Sequence, residues 1–425
     1  MHRDRSHDQS QAHAEQMPPE AVLKHALICP DAPVLVETQA ALDDMIAHVV
    51  AEGVLSYDSE FISELSYFPK LCLIQAATAK RLFVVDALAE LDLQPFWELL
   101  VNPAIEKIVH AGLQDLEPAV RHTGKAPVNV FDVQLAAGFI YLPYPLSLGK
   151  LMRELLGINL GKGLAFTHWD ARPLSQVHLR YAADDVRYLV AAREALRQRL
   201  EQAGNLAWAQ EECRSLCEIE HYQPQPNQRY QRVQGSVSLS GRSLTVLREL
   251  AALRDLAARE QDLPPRSLLK DEVLISLAKH PARTVADLDQ VRGLPRPVED
   301  QYGPAIVEAT LRALEAKGAD WPEAGETPDS PHEKIQVDAL YALACALCLG
   351  RSVDPPLAFT RPEIGRFYLR GRGQTDQDCR LMRSWRGELL GKPLQLLLSG
   401  KATLRASWPE GRLRSTLDET ETKGQ

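Results

Sequence analysis

Four carboxylates stand in three separate settings along the chain: Asp58 and Glu60 in LSYDSEF, Asp115 in VHAGLQDLEPAV, and Asp185 in RYAADDVRYL. Side chains alternate along an extended strand, so Asp58 and Glu60 point the same way from LSYDSEF. Two acids on one face of a core strand repel each other and lose hydration, which calls for something cationic between them. Hard oxygen donors of this kind suit Mg²⁺ or Mn²⁺. Tyr181 and Asp185 are spaced i, i+4 on a helical segment and share one face, a place where a reacting water can be positioned.

The elements that must carry these side chains alternate in type. VLVE, VLSYDSEF, LCLIQAAT, RLFVVDAL and KIVHAG read as strands; ALDDMIAHVVAEG, LQDLEPAVRHTG and the stretch from Ser175 to about Ala203 read as helices. Strands interleaved with helices indicate an α/β layered fold. HYQPQPNQRYQRVQGSVSLSG, rich in Pro, Gln and Ser, reads as a linker. RSLTVLRELAALRDLAARE opens a run of helices, and PEAGETPDSPHE separates it from a last unit starting near Lys334.

In this order, Asp-x-Glu, then His-Ala-Gly-x-x-Asp, then Tyr-x-x-x-Asp, the motifs resemble those of the DEDD exonucleases of the tyrosine-bearing subgroup. The flanking stretches YDSEFISELSYFPKLCLIQAA, KIVHAGLQDLEPAV, FDVQLAAGFI and WDARPLSQVHLRYAADDVRYL narrow the resemblance to the ribonuclease D family. One departure is His178, three residues before Tyr181, where a glutamine is expected. The resemblance implies a ribonuclease H-like mixed sheet flanked by helices, followed by all-helical HRDC-like domains. With the composition of the tails and linkers, it gives the boundaries: a disordered tail over 1–26, the exonuclease domain over 27–220, a linker over 221–236, an HRDC domain over 237–318, a linker over 319–332, a second helical, basic HRDC-like domain over 333–414, and a tail over 415–425.

The activity implied is 3′-to-5′ exoribonuclease, trimming the 3′ ends of RNA such as tRNA precursors and releasing nucleoside 5′-monophosphates. Two divalent ions, Mg²⁺ or Mn²⁺, would serve it. By resemblance Asp58 bridges both ions, Glu60 and Asp185 complete the first, Asp115 holds the second, and Tyr181 orients the attacking water. The Tyr181–Asp185 spacing and the Asp-Val pair favour Asp185 over Asp184, which reads as an exposed neighbour. Two other readings stand beside this one: a DNA exonuclease of the same superfamily, and a non-catalytic HRDC scaffold that binds nucleic acid.

Composition bounds the alternatives. A chain of 425 residues, 45% hydrophobic and 25% charged, suits about two to four globular domains. No run approaches the ~18 apolar residues of a membrane span, and the polar start MHRDRSHDQSQAHAEQMPPE lacks the apolar core of a secretion signal, so a cytoplasmic address is expected. Seven cysteines are too few and too scattered for a disulfide framework. Cys345 and Cys348 form a CxxC, and with Cys213 and Cys217 they could make zinc ligands only by converging; ALYALACALCLG reads instead as an apolar helix.

The formal net charge of −9 is unevenly spread: residues 333–414 hold 14 Lys and Arg against 8 Asp and Glu. In this basic part, Arg366, Arg370 and Arg372 lie among Phe367, Tyr368 and Trp385 and are candidates for phosphate contact. Further RNA-binding candidates are Tyr67 and Phe68 as base-stacking rings, His110, and Trp169 with Arg172 in WDARPLS. RNA with a free 3′ end is the partner expected; no membrane is, and no protein partner is inferable. Truncation near residue 220 is expected to leave cleavage of short strands intact.

Overall fold

The computed structural model describes residues 25–62, 66–161, 168–223, 226–322, 330–370 and 379–419. The tail expected over 1–26 lies almost wholly outside these residues, as do Arg372 and the side chain of Arg370. Two compact units form, the first from the described parts of Met1–Glu60, Leu71–Ile219 and Pro328–Gln425, the second from Phe61–Lys70 and Glu220–Thr327.

The first unit is built on a six-stranded mixed sheet in the order β1-β4-β3-β2-β5-β6. Its strands are β1 (Val34–Val36), β2 (Val54–Ile62), β3 (Lys70–Ala77), β4 (Leu82–Asp86), β5 (Glu106–Val109) and β6 (Val130–Asp132). β4 is buried along its whole length and β3 from Cys72 onward, which is why both read as unbroken apolar runs: each is covered on two faces. Helix α1 (Gln39–Glu52) is started by the Thr38 side chain and ended by Gly53 at φ 67, a left-handed cap that turns the chain straight into β2. In parallel register Ser56 faces Ile108 and Val109 faces Asp132. β6 was not foreseen, because Val130–Asp132 runs straight into the helix at Val133 with no turn signal between them.

Helices α2 (Gln94–Leu100), α3 (Leu113–Thr123), α4 (Val133–Ala137) and α5 (Leu148–Leu156) follow the sheet. The single helix expected from Ser175 to Ala203 is two, α6 (Gln176–Arg187) and α7 (Leu189–Ala203), joined at Tyr188 with φ −101. α8 (Leu206–Ser215) closes this part.

The C-terminal part is woven into the same core. Helix α12 (Pro331–Gly350) buries Leu340, Ala344, Leu347 and Cys348, and these share one cluster with Phe139, Leu151 and Leu189. Backbone bonds cross between the parts, from Tyr141 to Ser352 (2.7 Å) and from Asp354 to Gly138 (2.8 Å). The Trp385 ring meets Phe139 at 4.8 Å, and Arg386 makes a two-pronged pair with Glu212 (2.7 Å each). Residues 333–414 therefore do not stand as a separate all-helical module. They also end in an antiparallel hairpin, β7 (Ala402–Ser407) with β8 (Arg414–Glu419), so 415–419, expected as tail, are strand. All seven cysteines are free thiols, and Cys348 is packing in the apolar core.

The second unit packs helices α9 (Gly241–Glu260), α10 (Asp271–Lys279) and α11 (Arg296–Glu315) around Leu247, Leu250, Leu274, Leu277 and Ile306. The segment expected as a linker over 221–236 joins this core, with Val233 only 2% exposed. Its Pro and Gln content masks the two residues, Tyr230 and Val233, that carry the packing. Among the described residues no helix is long and apolar enough to cross a membrane.

Candidate active site

β2 delivers two faces to two different neighbours. Asp58 and Glu60, on one face, line a cleft of about 270 Å³ with Ser59, His110, Leu148, Tyr181, Asp185 and Leu189. Tyr57 and Ser59, on the other face, grip the start of α3: the Tyr57 hydroxyl donates to the Asp115 carbonyl (2.6 Å) and the Ser59 hydroxyl to the Asp115 carboxylate (2.5 Å). Asp115 sits in the first turn of α3, where the positive end of the helix favours a carboxylate. α6 supplies Tyr181 and Asp185 from one face, while Ala182, Ala183 and Val186 anchor the helix in the core.

Electrostatically the four acids are strained. Burial, then Asp115, Asp185 and Glu60, push the Asp58 carboxyl well above its ordinary range. Burial, then Glu60, do the same to Asp185. Glu60 rises to about 7 through burial and then Asp115, against the indole of Trp169 that donates to it. Asp115 rises to about 6, again through burial first. Among the described residues no Lys or Arg is ion-paired with any of the four. An all-oxygen set of acids that lacks a cation partner fits hard divalent ions by its chemistry. Among the described residues no three His, Cys, Asp or Glu side chains are yet gathered closely enough to ligate one ion; Asp115 is turned to Ser59.

The Tyr181 hydroxyl is raised above its ordinary value by burial, then by Asp185, Glu60 and Asp58. This direction favours the protonated phenol. Asp184, expected as an exposed neighbour, is half-buried and paired with Arg187 at 2.9 Å.

The remaining candidates are dispersed. Trp169 is 5% exposed, with its ring 6.0 Å from Tyr181 and 5.5 Å from His178. Arg172 is spent on protein: it binds Asp86 with two bonds of 2.6 Å and also donates to the carbonyls of Trp169, Ala171 and Cys72. His110 lines the cleft but donates Nε2–H to the Leu146 carbonyl (2.9 Å), and burial lowers its pKa. Tyr67 and Phe68 belong to the second unit, where the Tyr67 hydroxyl donates to Asp255 (3.0 Å) and Arg259 lies over the Phe68 ring (5.5 Å). Arg366 is exposed on α13 (Arg361–Arg370).

Two contributors were not singled out in the sequence. Ser59 was hidden between two more conspicuous acids, although alternation alone turns it towards the far face. Asp132 carried a readable signal, an acid directly before the helical VQLAA.

A family of 3′-5′ exonucleases matches residues 33–201, and the HRDC domain family matches residues 243–310. Ribonuclease D of Gluconacetobacter diazotrophicus is 32% identical over 88% of this chain and 94% of its own length. The chain belongs to the ribonuclease D family. Ribonuclease D of Zymomonas mobilis is likewise 32% identical, over 91% of this chain and 99% of its own. The crystal structure of Escherichia coli RNase D, described as an exoribonuclease involved in structured RNA processing, superposes with a TM-score of 0.74 at 27% identity, over 87% of this chain and 99% of that one. The activity is thus that of a 3′-to-5′ exoribonuclease on the fold expected, with RNA as its partner class. Ribonuclease D and its fold relatives generally depend on two metal ions.

Proposed function

We propose that the cleft between β2 and α6 is where this ribonuclease D family member hydrolyses the terminal phosphodiester of RNA, with Asp58, Glu60, Asp115 and Asp185 as metal ligands and Tyr181 as the group that positions water. The observation that carries the reading is the meeting of three mutually repelling acids, Asp58, Glu60 and Asp185, with Tyr181 in one cleft, and of Asp115 beside them on the hydroxyl of Ser59. Two Mg²⁺ or Mn²⁺ ions, when bound, supply an activated water and charge stabilisation for the departing oxygen. Asp58 and Glu60 present oxygens from a rigid central strand, and Asp185 faces them from α6. Tyr181 holds a water by hydrogen bonding, Trp169 holds the Glu60 carboxylate, and Leu148 and Leu189 limit solvent. The water oxygen bonds to phosphorus as the P–O3′ bond breaks, so the 3′-oxygen leaves with the shortened chain and a nucleoside 5′-monophosphate is released. Substrates are 3′ ends of structured RNA such as tRNA precursors, processed in the cytoplasm, with the nuclease, HRDC and basic C-terminal regions sharing the work of holding RNA.

Asp58→Asn and Asp185→Asn test this. Each should cut turnover on end-labelled RNA by about a thousandfold, several kcal/mol of transition-state stabilisation, and weaken Mn²⁺ binding measured by calorimetry. Near wild-type turnover in Asp58→Asn, or full activity in EDTA, would sink the reading. End-labelled DNA run in parallel decides the choice of polymer.

A further inference from the structure

Asp132 is a charged group at the end of β6, 1% exposed, outside the acidic cleft. Its carboxylate accepts four backbone N–H groups from two directions. From one side Ala111 donates to Oδ1 (3.2 Å) and Gly112 to Oδ2 (3.1 Å); from the other Gln134 (2.8 Å) and Leu135 (3.2 Å) donate to Oδ1, making Asp132 the N-cap of α4.

The turn it grips is unfavourable on its own. Ala111 stands at φ 58, a left-handed conformation that costs a non-glycine residue about 1 kcal/mol or more. Gly112 is hemmed in so closely that a Cβ there would meet the Val109 side chain at 2.6 Å. The turn sets two things at once: where His110 meets the cleft and where α3 begins, two residues before Asp115.

We propose that Asp132 is a positioning residue for the nuclease reaction, holding the His110–Ala111–Gly112 turn in its left-handed form so that Asp115 is presented at the distance the metal site requires. This rests on the assignment of Asp115 as a ligand. Tyr57 and Ser59 fix Asp115 from the β2 side, and Asp132 fixes the backbone from which it springs. The helix cap and the turn clamp are separable in part: Oδ1 serves both, accepting from Ala111, Gln134 and Leu135, while Oδ2 serves the turn alone through Gly112. Serine is a good N-cap but too short to reach the turn as well. Asparagine keeps the three bonds to Oδ1 and sets an N–H donor against the Gly112 N–H.

The test uses the full chain. Asp132→Ser and Asp132→Asn should weaken Mn²⁺ binding, measured by calorimetry without RNA, by at least tenfold and lower kcat by at least as much while leaving KM for RNA within twofold. Adding Ala111→Gly to Asp132→Asn should recover at least threefold of the lost Mn²⁺ affinity, since glycine holds φ 58 without help. Wild-type Mn²⁺ affinity and kcat in both single variants, with only a lowered melting temperature, would make Asp132 a structural cap and overturn the proposal. So would loss of the cooperative unfolding transition in both. Asp115→Asn measured alongside separates the two levels: if it binds Mn²⁺ and cleaves as wild type does, the assignment of Asp115 fails whatever Asp132 does.

Discussion

Glu60 shows what burying an acid beside others costs the metal-free protein. Its carboxyl titrates at about 7 in the fold against 4.5 ordinarily. Below about pH 4.5 it is neutral in both folded and unfolded chains; between 4.5 and 7 the unfolded chain gives up its proton first. Stability is therefore lost as pH rises through that window, and the loss is complete above about 7. A shift of this size corresponds to at most ~3 kcal/mol, reduced to about 2 because Glu60 is partly exposed. Glu60→Gln, which keeps an oxygen for the Trp169 indole, should melt a few degrees above wild type in EDTA at pH 8 and at the same temperature as wild type near pH 4.5. Equal melting at pH 8 would show that neither burial nor Asp115 disfavours the charged Glu60 carboxylate. The acids and Tyr181 were legible in the sequence because strand and helix periodicities state which side chains share a face. Ser59 was not, and Asp132 was legible only as a helix cap, since their other roles are hydrogen bonds to residues 56 and 20 or more positions away.

At the scale of elements, the short segment around residues 168–173 is fixed to the sheet by one ion pair. Arg172 joins Asp86, the last residue of β4, whose side chain is 8% exposed. Removing the guanidinium strands a buried carboxylate, which costs about 2–4 kcal/mol. It also frees Trp169, which donates to Glu60 and lies against Tyr181. Arg172→Ala should therefore lose both stability and turnover, while the salt dependence of RNA binding, read as the slope of log affinity against log salt, stays that of wild type. A slope shallower by about one would return Arg172 to the phosphate contacts expected from sequence. Five strands were legible here and three were not. β6 passes directly into the helix at Val133, and β7 and β8 flank a Trp-Pro-Glu-Gly turn in a stretch that shares the charge of a solvated face.

For the whole molecule, the expectation that cleavage survives truncation near residue 220 conflicts with the core. A chain ending at residue 327 would leave Phe139, Leu151 and Leu189 without Leu340, Leu347 and Trp385 and Glu212 without Arg386. Large-to-small changes at single core sites already cost about 2–5 kcal/mol, and typical domains hold only about 5–15 kcal/mol in all. Such a chain should lack a cooperative unfolding transition for the nuclease unit and have no activity on short strands; a truncated chain that melts cooperatively and cleaves would refute this. Sequence could not show it, because basic charge in residues 333–414 is visible in composition whereas the partner of a buried Leu340 is not. Of the arginines that suggested an RNA surface, Arg366 is exposed, while Arg386 in the same basic part is buried in its pair with Glu212.

The discontinuity of the first unit also sets a schedule. Its sheet and cleft are encoded before Ile219, but the helices that finish its core begin after Pro328. A ribosome working at about 5–20 residues per second needs roughly 10–40 s to travel from Ile219 to the end of β8 at Glu419. For that interval the second unit, whose pieces are all upstream of residue 328, is free to fold, while the nuclease core waits with an uncovered apolar face. A nascent chain that has not yet reached the helices beyond Pro328 is thus expected to be unable to degrade RNA, even though every residue of its cleft is already made.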